Sequence, residues 1–559
     1  MIRYLFLVIA LTVSFLNLTT AQNLPEHTSN HTIYLLLDEL ATQGIIELNA
    51  AVKPYSRDSI AGKLMQARSS DKLSHAQRGE VERMLKDYFL ETGTEHRGIV
   101  NLTKEGSKTQ VSMLPPIFTY QDSLFRVRLE PVYGANFISN SRGEVRHTYG
   151  GLAMQAYIGN QWSVWASLRD NYQTNQVLSL PGYFSKEEGG NYKIGVQGRS
   201  GGDYSEMRGG IAWAWRWGSL SFSKDHLQWG DNYHGSNILS GRTPSYAMIK
   251  LQLDPAKWFS FTYHHGWLVS EVIDSARSYY SEPERYRAVF RPKYIAANIF
   301  TFKPWRKLNV SVGNSVVYSD DNVQPAYLIP FMFFKSIDHT LTHGIDNQNS
   351  QMFLNISSRQ ISYLHLFTSV YIDEFSISRV GDANRHNFAS IKVGGSLSGW
   401  PFNNITLRGE YTRSSPITYQ HRVKTLTFET NRYNLGHYLR DNSQEIYASL
   451  SWRPIAGLYA CVSFVLAEHG NNYTYDLDGA VPVDEHPFME TITWRNRTTA
   501  IDVRYMLWNN ISVFATFTIS NIAGFDVDGI SAQRYLNQYT PDLYQGKNNT
   551  LNIGFQMGF

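Results

Sequence analysis

Asp225, His226, Gln228 and Trp229 crowd together directly after a run of alternating residues. Their types suit sugar recognition: an indole face stacks on apolar C–H surfaces, while a carboxylate and an amide bond hydroxyls. A polar network fixing the barrel interior or the helical plug is the favoured account of the same residues, because a barrel interior is polar by default. Asp373 and Glu374 are adjacent, so on a strand they face opposite ways, against a paired-carboxylate glycosidase site built from these two. His339, His343 and Asp346 invite a metal reading but lack tight ligand spacing, and polar loop residues account for them. No Gly-x-Ser-x-Gly or His-Glu-x-x-His motif occurs. Cys461 is the sole cysteine, within an apolar run, which excludes an intramolecular disulfide and predicts a small buried thiol. No catalytic residue, metal or cofactor is expected from these patterns. The sequons at Asn101, Asn355 and Asn404 are read as chance.

The elements that must position these groups are mostly strands. Leu551, Ile553, Phe555, Met557 and Phe559 fall on one face of a strand, and Asn552, Gly554, Gln556 and Gly558 on the other. One wall is oily and the other wet or cramped, the texture of a closing barrel strand. The pattern recurs in Phe125/Val127/Leu129, in Ile211/Trp213/Trp215/Trp217, in Leu364/Leu366/Val370/Ile372 and in four runs between 446 and 519. Stretches rich in Asn, Asp and Gly separate them. The segments around 185–203 and 473–490 are expected to be long loops. Roughly 440 residues, at about 25 per strand with its turn, give about eighteen strands. No 40-residue repeat of a propeller is present.

Bulk properties agree. Aromatics make up 14% of the 559 residues, with 35 Tyr and 13 Trp, which suits interfacial girdles. Mean hydropathy is −0.33, too polar for a helical membrane bundle. The net charge of +3 gives no electrostatic case for nucleic acid. Residues 1–21 read as a signal peptide: Arg3, an apolar stretch from Tyr4 to Leu16, then Thr19-Thr20-Ala21 before Gln22, with no lipidation cysteine after it. An exported chain without a long apolar helix that enters a membrane must do so as a barrel, since lipid satisfies no backbone group. Residues 22–95 read as a helical region, with Ile33/Leu36/Leu37/Leu40, Ile60/Leu64 and Val81/Met84/Leu85/Phe89 at helical spacing and Ser56 and Ser74 as caps. Residues 96–116 read as a polar linker ending at Pro115-Pro116, and 117–559 as the barrel.

Ordered motifs then point to a family. They are Tyr34 to Leu40, Gly44 to Asn49, Lys53 to Arg57, Phe222 to Gly230, Gly235 to Ser240, Tyr327 to Phe331, Asp346-Asn347, Ile372 to Phe375 and Tyr411 to Tyr419. In this order the chain resembles the Wzi-like capsule assembly family of outer-membrane barrels, in its Bacteroidetes-type form. The resemblance implies a bacterial outer-membrane barrel with N-terminal helices on the periplasmic side, helping to block the lumen. It also implies a lectin-like, non-enzymatic role in assembling or attaching capsular polysaccharide or exopolysaccharide. The expected partners are that polysaccharide, outer-membrane lipid and lipopolysaccharide, the barrel assembly machinery and other envelope proteins. The candidate set for carbohydrate binding or a lumen network is Asp225, His226, Gln228, Trp229, Asp373 and Tyr419. The alternatives are a porin-like channel, an outer-membrane hydrolase, or a scaffold for another envelope assembly or secretion machine.

Overall fold

Alternation becomes a wall because each strand must hide its polar backbone while presenting one apolar face outward. In the computed structural model, eighteen antiparallel strands close into one barrel. The structure describes residues 22–94, 101–104, 106–194, 201–341, 344–345, 347–382, 384–475, 481–508 and 510–558. The expected signal peptide, His343, Asp346 and Phe559 lie outside the described residues, as does the side chain of His339. Closure is made by the last strand, Gly546–Met557, on the first, Phe125–Asn140, with Leu551 opposite Ser139 and Met557 opposite Tyr133. Leu551 and Ile553 are exposed outward, while a Cβ on Gly554 would come within 2.3 Å of the Phe514 ring. The oily and cramped walls read from the sequence are both present. Three short strands, Thr109–Val111, Phe118–Gln121 and Lys193–Ile194, extend the sheet at its edges. The first of these lies in the stretch read as linker, where pairing with Phe118–Gln121 gives it order.

The two ends of the barrel differ. At one, strands are joined by turns of two to six residues, such as 216–217, 306–307 and 399–404. At the other, apart from the two-residue turn 141–142, connections are long, among them 174–201, 226–245, 319–347 and 415–442. Eight tryptophans, at 162, 213, 217, 258, 305, 400, 452 and 508, are exposed on the outer wall at the short-turn end. Such a ring is the aromatic girdle of a membrane–water interface. No helix among the described residues is long and apolar enough to cross a membrane.

Three helices close the short-turn end: α1 (His31–Thr42), α2 (Arg57–Arg68) and α3 (His75–Leu85), the last followed by a turn of 3-10 helix and a short helix to Thr92. Ser56 and Ser74 cap α2 and α3, the latter in a reciprocal capping box with Gln77. Gly44, at φ +75°, turns the chain after α1. Ile33, Leu36, Leu40, Ile60, Leu64, Val81 and Met84 form the small core between the helices.

That core is too thin to hold the plug alone, and buried ion pairs tie it to the wall. Arg57 bonds Glu26 at 2.5 Å and Glu91 at 2.7 Å within the plug. Arg128 of the first strand bonds Asp87 at 2.9 Å as well as Glu130. Arg453 lies between Glu39 at 3.4 Å and Glu80 at 3.3 Å, and Glu80 also accepts the Gly457 N–H at 2.7 Å. Arg359 bonds Asp38 at 2.7 Å. Burial pushes the Asp38 carboxyl up, but Arg359, His365 and Arg408 outweigh it and hold it below the usual range. Glu80 behaves the same way, its burial overcome by Arg453 and Arg83.

One connection breaks the simple inside–outside rule. The segment 324–341 folds back over the outer wall, and beneath it Tyr263, His265, Asn298, Asn314 and Tyr318 face outward yet are buried. Asn298 donates to the carbonyls of Pro330 and Met332 at 2.9 and 2.8 Å, and Asn314 accepts the Phe334 N–H at 2.9 Å. Polar outward residues are tolerated here because they satisfy the backbone of an irregular segment. Cys461, expected to be buried, is only half-buried, on the inward face of the strand Leu458–Gly470. Among the described residues, no inward connection covers it fully.

Candidate functional site

The connection 226–245 leaves the strand Gly218–Asp225 and runs into the lumen. There Gln228–Trp229 pairs as a two-residue strand with Val52–Lys53 of the plug. The Trp229 backbone N–H donates to Leu239 O and the Gly230 N–H to Ala51 O, both at 2.9 Å. The motif region singled out by sequence is thus the joint between plug, wall and inward loop.

Trp229 is fully buried, edge-on to His264 with ring centroids 5.0 Å apart and to Phe353 at 6.1 Å, in a cluster with Ile238, Leu239, Ile295 and Tyr371. Its ring faces are covered by protein. Asp225 accepts the His226 N–H at 2.9 Å and lies 3.9 Å from Arg208. Gln228 makes a long contact of 3.4 Å to Asn232. Asp373 accepts from Asn349 at 3.0 Å on the inward face, while Glu374 is exposed, so the two carboxylates do diverge. Tyr419 stacks near Tyr371 and Phe428, donates its hydroxyl to Asn237 O at 2.8 Å, and its N–H bonds Asp441 at 2.6 Å. Burial pushes the Asp441 carboxyl up to about 6, although the bonds from Tyr419 N–H and from the Gln420 amide at 2.8 Å oppose it. The candidates form two groups: Asp225, His226, Gln228 and Trp229 at the plug joint, and Asp373 and Tyr419 towards the long-loop end.

Sequence reasoning missed the polar centre beside the joint. Asp231 accepts from Asn355 at 2.7 Å, and Ser357 meets His365 Nε2 at 2.9 Å. Tyr233 OH meets His365 Nδ1 at 2.7 Å, and its backbone N–H donates to Glu410 at 2.6 Å. The signal was the run Asp231-Asn232-Tyr233-His234 after Gly230. Ser357, His365 and Asp231 share a site but not triad geometry: the serine and the carboxylate both approach Nε2, the latter at 3.5 Å. A triad needs them on opposite ring nitrogens.

The inward wall divides into two parts. From Tyr246–Ala256 to Ile405–Ser414 the inward residues are dry: Ala297, Ser311, Ser315, Asn355, Ser369, Ser390 and Lys392 are all at or near zero exposure. Across the lumen, Asn136, Cys461, Ser463, Asp502, Arg504, Phe514, Thr516 and Thr518 are half-buried. A small cavity of about 60 Å³ reaches the plug, lined by Arg57, Asp87, Arg128, Glu130, Arg208 and Asp225 among others.

At the long-loop end the hairpin of Tyr279–Glu282 with Arg285–Arg287 projects into solvent. Tyr279, Tyr280 and Tyr286 are exposed, the last two with ring centroids 5.2 Å apart, and Arg285 and Arg287 lie beside them. Exposed paired rings flanked by guanidiniums offer a stacking platform with charge.

No protein-family model and no curated protein matches the chain. Among solved structures it is similar to Wzi of Escherichia coli, described as an outer-membrane protein involved in group 1 capsule assembly and a carbohydrate-binding β-barrel. That likeness has a TM-score of 0.55 at 11% identity and covers 97% of this chain and all of that one. Two further barrels match less well: OccAB2 of Acinetobacter baumannii, with TM-score 0.42, 10% identity, 78% of this chain and 99% of that one, and OccD3 of Pseudomonas aeruginosa, with 0.42, 11%, 77% and 90%. A TM-score of 0.42 is too low to carry an argument about either. What the likeness to Wzi shows is the fold alone, matched along almost the whole chain.

Proposed function

We propose that the protein is a bacterial outer-membrane barrel that binds and helps to assemble or retain a surface polysaccharide, acting as a binder and not as a catalyst. The observation carrying this reading is the filling of the lumen: ion-paired helices close the short-turn end, and the connections 226–245 and 415–442 pack inside against one side of the wall. A barrel so filled is poorly suited to bulk diffusion and well suited to presenting a fixed outer surface. The Tyr279, Tyr280 and Tyr286 platform on the long-loop face supplies rings for sugar stacking, and Arg285 and Arg287 suit an acidic glycan. The fold likeness to Wzi, whose description names carbohydrate binding and capsule assembly, agrees with this reading. Short turns and a tryptophan girdle at one end fit the periplasmic rim of an outer-membrane protein.

The test is glycan binding by the purified protein on an array of surface polysaccharides. An acidic glycan should be retained, and the double substitution Tyr280→Ala, Tyr286→Ala should weaken it at least tenfold. Binding to no glycan, together with unchanged cell-associated capsule after gene deletion, overturns the reading. The half-buried wall at Asp502, Arg504 and Thr516 favours a second reading, a narrow path for small solutes. A large steady single-channel current in planar bilayers would establish that path, and silence would remove it.

A further inference from the structure

His27, His226 and Glu188 come from three separate parts of the chain: the segment leading into the plug, the end of a wall strand, and the long connection 174–201. One ligand-capable atom of each lies within 4.8 Å of the others. His27 Nε2 is 3.0 Å from His226 Nδ1 and 3.9 Å from Glu188 Oε1, and Asp225 Oδ1 stands 4.0 Å from the same nitrogen. Two imidazoles and a carboxylate gathered this closely make a donor set for a small, borderline-soft cation. His226 Nε2 is buried and bonds to nothing.

We propose that His27, Glu188 and His226 bind one divalent transition cation of the zinc type, tying the plug segment to the wall and to the inward-folded connection. Without a cation, one ring N–H is shared between the two histidines. In this structure His27 Nδ1 accepts the Ser29 backbone N–H at 3.2 Å; with a cation, both facing nitrogens turn lone pairs to the metal and the His27 proton moves to Nδ1, where Ser29 Oγ at 2.6 Å accepts it once that backbone bond is given up. Arg169 holds the other oxygen of Glu188 at 3.4 Å, and Arg208 lies 3.9 Å from Asp225. These guanidiniums orient the carboxylates but also repel a cation, which holds the affinity below that of a closed structural zinc site. The remaining position goes to water or to Asp225 after a small rotation. The small cavity lined by His27 and Asp225 adjoins this cluster.

The experiment uses the untagged full-length mature barrel in detergent, stripped with a chelator and titrated with zinc chloride by calorimetry. Cobalt(II) serves as a visible-absorption probe of coordination. One ion per chain is expected, with affinity lowered at least tenfold by His27→Gln and by Glu188→Gln and unchanged by His75→Gln, at an exposed histidine. The Glu188→Gln change lies on a connection and keeps side-chain shape, so it remains informative should a histidine variant fold poorly. Zinc should also slow proteolysis of the segment before α1. Absence of stoichiometric binding, or equal affinity in wild type and Glu188→Gln, overturns the proposal.

Discussion

The two sides of the lumen are built from the same kind of sequence and end in different states. Along 246–414 the inward residues Ser369, Ser390 and Lys392 are dry, because Trp229, Ile238, Tyr419 and Phe428 from the inward connections press against them. Along 458–524 the inward residues Cys461, Asp502, Thr516 and Thr518 are as polar, yet keep access to water. The difference teaches that a barrel interior is not uniformly wet: its polarity is a default, and its dryness is decided by what folds into it. On the dry side a charged group needs a protein partner, as Lys392 has in Glu410 and Thr412. On the other side water can serve.

A buried charge gives the largest contrast. Ser390→Glu places an unpaired carboxylate on the dry wall and should cost several kcal/mol, enough to block folding into the heat-modifiable form. Thr518→Glu should stay within about 0.5 kcal/mol. Equal urea midpoints for the two variants would erase the distinction. Next comes Trp229→Ala, which opens a cavity in the same dry region and should lower stability by about 3–5 kcal/mol in urea titrations.

Acid should act oppositely on the two closures of the lumen. The Asp38 and Glu80 carboxyls are held low, so their stabilisation is complete above the unfolded range near pH 4 and is lost as pH falls through their folded values. Asp441, raised to about 6, is the reverse: its cost grows as pH rises from about 4 to 6, so the same acidification tightens the connection 415–442. Pepsin should therefore begin cutting the plug below pH 4 while 415–442 stays protected. Simultaneous loss of both would show one cooperative unit instead of two.

Thiol labelling gives a finer contrast. Cys461 should react with a small water-soluble reagent in the folded barrel, whereas the same thiol moved to Ser369→Cys should react at least tenfold more slowly. The smallest effect is expected of Tyr419→Phe, which removes one hydroxyl bond to Asn237 O and should lower stability by about 1 kcal/mol.

Much of the fold was legible because strand periodicity is local. Leu551 and Ile553 face outward, and the caps at Ser56 and Ser74 form, since both depend on neighbours a few residues away. The candidate site was legible only as a place. Trp229 was visible as an aromatic beside polar groups, but not as a covered ring, because His264 and Phe353 reach it from strands far along the chain. The segment 324–341 gave no sign of lying outside the wall, since what recommends that position is the amide pair Asn298 and Asn314.

By itself, the sequence determined a period of two, an oily outer face, turn-rich separators between strands and a capped helical start. All of these follow from sterics and burial within single elements. Only the tertiary structure decided which inward residues are dry, which arginine meets which carboxylate, and that His27, Glu188 and His226 converge. Those outcomes depend on contacts between residues up to several hundred positions apart, where no local pattern constrains the partner.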